Sequence, residues 1–231
     1  MSIIPPISAI LTAALITATA LGAEVPVDGE GEKRPFWKAP GVYEGIVDKR
    51  DLAVSAKIEK GAAKSDKERL QVVAAGHVSV PLSYAWAKVR EFERLPKVSS
   101  HFKNAEYFPD RKRLHLIVTA LGYQAFLVLH LKFIDEVKYK EIRWETTEGA
   151  FTGMTGTIRL EDFERRRTEM SLYSEHESKK LPLPDAIKSI MIEVVSQRVA
   201  GLMREYIEGE YKKDLKKSAV KQTPAAKGPG Q

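Results

Sequence analysis

The chain of 231 residues contains no cysteine. That absence excludes disulfides, thiolate nucleophiles, cysteine-ligated zinc and a lipoprotein anchor. It suits an oxidising compartment without placing the protein in one. Charge is missing from the start of the chain: no side chain from Met1 to Ala23 is ionic. The apolar run from Ile7 to Leu21 is short of the roughly 20 residues that a membrane span requires. Ala18, Ala20 and Gly22 have the small-x-small spacing of a signal-peptidase site, and the chain turns polar at Glu24. Residues 1–23 therefore read as a secretory signal peptide, although no Lys or Arg precedes the apolar run. An uncleaved membrane anchor is the alternative. Export to the periplasm or the medium is expected.

The folded part has little net charge. The formal charge of the chain is +6, with a pI of about 9.3. Six lysines between Lys212 and Lys227, set against Asp214, account for +5 of it. The tail also has no aromatic residue on which a base could stack. A solvated, disordered tail over 215–231 is the expectation, with no specific nucleic-acid binding and only transient contact with anionic membrane surfaces.

Motifs of common chemistry are absent as well. There is no G-x-S-x-G elbow and no phosphate loop ending in Gly-Lys-Ser/Thr. No pair among His77, His101, His115, His130 and His176 has the spacing of a metal site. No metal, no cofactor and no catalytic residue is assigned. Strand parity puts His115, His130, Glu145 and Glu175 on the wet side of the sheet, so no inward acid or base stands out.

What the chain does have is alternation. Hydrophobic residues make up 43% of it and charged residues 29%, enough to pack one ordinary domain. Residues 24–42 mix Pro, Gly and charge without period and read as a linker. Leu52–Ile58 and Leu70–Val80 read as strands. Ser83 can cap a short helix carrying Trp86, Val89 and Phe92, which ends at Pro96. Phe102–Phe108 is a further strand. Leu114, Leu116 and Val118 then share a face, as do Ala125, Leu127, Leu129, Leu131 and Phe133. Ile142 with Trp144, Ile158 with Leu160, and Thr168 with Met170 and Leu172 continue the pattern of a half-buried antiparallel meander. Pro184 and Asp185 suit the first turn of a helix. Its stripe includes Ile187, Ile190, Met191, Val194, Val195, Val199, Leu202 and Tyr206.

The order is strands, short helix, about six strands, long helix, with no βαβ alternation. It specifies an α+β fold in which a curved antiparallel sheet wraps the long C-terminal helix. The folded domain is expected to span 43–214.

Three stretches carry a resemblance to the START-like superfamily (SRPBCC, helix-grip), which includes polyketide cyclases and coenzyme Q-binding proteins. They are Val78–Trp86, with a strand, a proline and a helix bearing Trp86; Gly149–Phe151 with Gly156; and Thr168 through Pro184 into the terminal helix. The resemblance implies a cavity between sheet and helix for a lipid, sterol, quinone or polyketide-like molecule. The candidate lining is Trp86, Tyr107, Trp144, Met154, Met170, Ser174, Ile187, Met191 and Val195. Thr146 and Tyr206 are further polar groups that could orient a ligand. The reading is a monomeric binding or carrier protein for a hydrophobic small molecule. Two rivals stay open: a cyclase- or dehydratase-like enzyme using the same cavity, and an interaction protein with a filled core.

Overall fold

The computed structural model describes residues 35–60, 67–120, 122–164, 166–178 and 188–222, excepting the side chains of residues 60, 188–191 and 219–222. The expected signal peptide and Ile187 lie outside the described residues, as does the side chain of Met191.

Eight strands form one antiparallel sheet: β1 (Ala53–Lys60), β2 (Glu68–Val78), β3 (Phe102–Phe108), β4 (Arg113–Ala120), β5 (Tyr123–Asp135), β6 (Tyr139–Gly149), β7 (Thr155–Phe163) and β8 (Arg167–Ser178). Their order is β1-β2-β8-β7-β6-β5-β4-β3. Strands β3 to β8 follow one another as a meander. The β1–β2 hairpin joins it through β2 and β8, with Leu70 opposite His176 and Val78 opposite Thr168. Between β2 and β3 lie the helices α2 (Leu82–Val89) and α3 (Leu95–Val98). This is the α+β architecture that the pattern of elements specifies.

Period-two alternation gives the sheet two distinct faces. Leu114, Leu116, Leu127, Leu131, Ile142 and Leu160 point to the concave side, where they meet Trp86 and Phe92 from the α2 region and Ile207. Each is fully or nearly fully buried, worth about 1.5–3 kcal/mol per side chain. The strands begin and end close to where the alternation puts them. The short helix begins two residues earlier than a Ser83 cap would set it, at Leu82, with Pro81 at its N-cap and no side-chain cap. Proline supplies the extended entry (φ −61°, ψ 149°), so Ser83 is not needed for it.

The last helix, α4 (Lys188–Gln222), has 35 residues and is about 50 Å long. Its first part lies against β1 and β2, and it continues past α2 and α3. Polar contacts pin it along the way. The Ser79 amide donates to Glu208 at 2.8 Å, and Arg204 Nη1 donates to the Arg50 carbonyl at 2.6 Å. Tyr206 donates to Glu91 at 2.6 Å and Tyr84 to Asp214 at 2.9 Å. The expected domain end at 214 falls inside this helix, and the first residues of the expected disordered tail continue it. Beyond Tyr211 the apolar stripe fades, but Lys, Leu and Ala sustain a helix by propensity. The pairs Lys213–Glu210 and Lys217–Asp214 add i,i+3 support.

The expected linker is also structured near its end. A turn at Phe36–Lys38 and the helix α1 (Val42–Asp48) lie over the outer face of β2 and β8. Ile46 is buried there, Lys38 pairs with Glu169 at 2.6 Å, and His77 stacks on Phe163 with ring centroids 4.2 Å apart. Among the described residues, no helix is long and apolar enough to cross a membrane.

Candidate functional site

The concave face between the sheet and α4 is where the chain concentrates apolar surface that its own packing leaves partly open. Trp144 shows how the wall is laid. A Cβ on Gly156, its neighbour across β6 and β7, would stand 2.1 Å from the indole Cζ2. The ring lies flat on the one residue that leaves it room. Around it Leu129, Ile158, Met170 and Leu172 are only half-buried. A packed core would leave such residues closed.

One end of the wall is polar. Beyond Trp144 and Ser174 on the same face come Thr146 on β6 and His176 on β8, in one transverse row with Met154 between them. Thr146 is 0% exposed and His176 5%. Ser174 Oγ donates to the Thr155 carbonyl at 3.0 Å. By contrast Thr146 Oγ1, His176 Nδ1 and Ser178 Oγ are buried without a hydrogen-bond partner. Each such orphan costs about 1–3 kcal/mol. Burial pushes the His176 imidazole below its ordinary value of 6.5, so the ring is neutral at pH 7.

A loop between β6 and β7 covers this end. Gly149 and Gly153 take left-handed φ angles of 91° and 86°, and between them Phe151 does so at 61°, an unfavourable conformation for a bulky side chain. Its ring stands edge-on to His176 at 5.5 Å. Phe151 is the residue that both apolar clusters share, the larger one built around Trp86 and the smaller around Leu70 and Val72, with Ile192 of α4. At the opposite end Trp86 closes the wall. Its indole N–H donates to Asp135 at 3.0 Å, and Arg90 lies over its ring at 4.5 Å.

The expected lining residues take different positions along this wall. Trp144, Met170 and Ser174 share the concave face, Met154 enters from the covering loop, and Val195 is half-buried on α4 one turn after Ile192. Trp86 and Tyr107 belong to the closed end, where Tyr107 packs on Phe92 and Phe133. The Tyr206 hydroxyl donates to Glu91, and its ring packs against the core cluster around Trp86. The expectation that no inward base stands out is corrected by His176. Its parity with Met170 and Leu172 is the signal that locates it.

Other surfaces have different characters. The outer face carries an open depression between Phe108, Arg113, His115, Phe126 and Glu148. Phe126 is 45% exposed and Arg113 approaches Glu148 at 3.7 Å; none of the buried unpaired atoms belongs to it. Among the described residues, no group of three His, Asp or Glu side chains is placed to hold a metal ion.

The chain matches no protein-family model, and no curated protein matches its sequence. Solved structures do match. A START superfamily protein from Mycobacterium smegmatis aligns over 60% of this chain and 97% of its own, with 16% identity and a TM-score of 0.51. A protein of Thermus thermophilus aligns over 61% and 98%, with 16% identity and a TM-score of 0.52. A STAR-related lipid transfer protein from Xanthomonas axonopodis covers 66% and 98%, with 9% identity and a TM-score of 0.50. With eight antiparallel strands curved about a long C-terminal helix, the chain has the START-like, helix-grip (SRPBCC) fold.

Proposed function

We propose that the chain is an exported protein that binds or carries a hydrophobic small molecule between the concave face of its sheet and α4. The observation that carries this reading is the half-open apolar wall of Leu129, Trp144, Ile158, Met170 and Leu172. Desolvating an apolar ligand there supplies the affinity, at about 25 cal/mol per Å² of apolar area covered. The Xanthomonas protein of the same fold is named for lipid transfer, which supports the ligand class. A lipid, sterol, quinone or polyketide-like body would all suit such a wall. The charge-free N-terminal segment and its small-x-small site support export to the periplasm or medium. The protein acts as a monomer in this reading, and the lysines near its C-terminus supply transient contact with anionic membranes.

Native mass spectrometry of protein purified from the exported fraction, followed by organic extraction, tests it. The expected result is a one-to-one adduct of one lipid-like class on a chain that starts between residues 21 and 24. A bare mass, together with no uptake of any apolar probe by the purified protein, overturns the carrier reading.

A second reading has one observation in its favour. His176 is an inward, neutral imidazole, the form a general base requires, so a cyclase- or dehydratase-like step in the same groove is chemically possible. Turnover of an extracted ligand that is lost in His176→Gln would select it.

A further inference from the structure

Among the described residues, five buried side-chain polar atoms have no hydrogen-bond partner: Trp37 Nε1, His77 Nδ1, Thr146 Oγ1, His176 Nδ1 and Ser178 Oγ. Two belong to the outer side, where α1 and its preceding turn cover β2 and β8. The other three share the concave face, at one end of the apolar wall. Folded chains leave few buried polar groups unpaired, so three on one face at one end are a feature with a direction. Thr146 and His176 stand two strands apart in the same row, about 10 Å between backbones, and both project from the concave side. Phe151, held in a left-handed conformation, covers His176.

We propose that this end of the groove is a recognition site for an uncharged oxygen head, a hydroxyl or carbonyl, on an otherwise apolar ligand. The proposal rests on the groove reading above and names the ligand class for it. The head is neutral because of what surrounds it. A threonine hydroxyl donates or accepts, and a neutral imidazole nitrogen does either according to its tautomer, so the pair suits a hydroxyl or a carbonyl. Around His176, Leu70 stands opposite it on β2, the Phe151 ring meets it edge-on, and Leu172 and Ile192 belong to the same apolar cluster as Phe151 and Leu70, none of them cationic. The burial that lowers the affinity of His176 for a proton disfavours a cationic imidazole as partner for an anion. The polar atoms then fix the orientation of the ligand: head under Phe151, body along Trp144 and Met170 towards Trp86.

The test uses dodecan-1-ol, dodecanoate and dodecylamine at pH 8, three probes with one body and different heads, with binding to the full exported protein followed by calorimetry. Dodecanol is expected to bind about tenfold or more tighter than dodecanoate. In Thr146→Val with His176→Leu its affinity falls about tenfold, towards that of the apolar body alone. A second measurement separates recognition from structure. Because the Thr146 hydroxyl has no partner in the protein, Thr146→Val alone leaves the melting temperature of the empty protein unchanged or raises it, while weakening dodecanol. A lowered melting temperature would assign the hydroxyl a structural role and overturn the proposal. Dodecanoate binding as tightly as dodecanol would also overturn it, as would undiminished dodecanol binding by the double variant, and both leave the groove reading standing. Failure of all three probes to bind the wild-type protein would remove the groove reading and this proposal together.

Discussion

Gly156 shows how one residue sets the shape of the wall. Its lack of a side chain lets the Trp144 indole lie on the sheet, and a methyl group there would stand inside the ring's contact distance. Gly156→Ala is therefore expected to lift Trp144 from its seat and to destabilise the fold by about 1–3 kcal/mol, the usual cost of overpacking. Urea denaturation checks the stability, and near-ultraviolet circular dichroism checks the ring. An unchanged near-ultraviolet spectrum would mean that the indole does not depend on this glycine. At this scale the sequence is only partly legible. Trp144, Met170 and Ser174 follow from strand parity alone. His176 obeys the same parity, two residues beyond Ser174, but histidine on a strand carries no burial signal of its own. What closes it off is Phe151, 25 positions earlier in the chain, and that contact is set by the fold.

Among the elements, α4 depends most on polar anchoring. Its middle is tied to the rest of the fold by Glu208, which accepts from the Ser79 amide and pairs with Arg50. Burial opposes ionisation of Glu208, but the Ser79 amide and Arg50 outweigh it and hold the carboxyl below its ordinary value of 4.5. The unfolded chain then takes up this proton first as pH falls. The stabilisation is complete above about pH 5.5 and is lost as pH falls through 4.5 towards the folded-state value. Glu208→Gln is expected to flatten that part of the stability-against-pH curve, measured by urea midpoints between pH 3 and 7. Glu208→Ala, which leaves the Ser79 amide unpaired, is expected to cost about 1–3 kcal/mol at pH 7. A variant curve parallel to the wild type would remove Glu208 from this role. The stripe of Val195, Val199, Leu202 and Tyr206 makes the helix readable in the sequence, whereas Val194, expected in the same stripe, is 58% exposed. The extension of the helix to Gln222 is not readable, since propensity and i,i+3 pairs leave no hydrophobic period. The helix α1 is hidden for a related reason: its Pro- and Gly-rich surroundings look like linker, and only a tertiary contact, Ile46 against the outer face, gives it order.

For the whole molecule, the strand order decides which parts hold longest. The meander β4–β7 sits inside the sheet and carries Leu114, Leu131, Ile142 and Leu160, each at most 3% exposed. Strands β1 and β3 are the edges, and α1 lies outside the sheet. Hydrogen exchange followed by mass spectrometry is expected to find the slowest amides in β5, β6 and β7, at or near the global unfolding free energy, and the fastest in α1 and β1. Protection of β1 equal to that of β6 would contradict this order. The meander itself is legible because each of its strands alternates cleanly. The placement of β2 beside β8, about 100 residues away in sequence, is not, because nothing local to either strand specifies its partner.

The position of Trp144 has an optical consequence. The chain has three tryptophans. Trp37 belongs to the turn on the outer side, Trp86 is buried at the closed end beside Asp135, and Trp144 alone lies half-open on the concave wall. The molecule thus contains its own fluorophore at the place a guest would touch, with the other two indoles as an internal reference. A Trp144→Phe protein would be blind to occupancy while emitting otherwise normally, so subtracting its spectrum from that of the wild type isolates the light that reports on the groove.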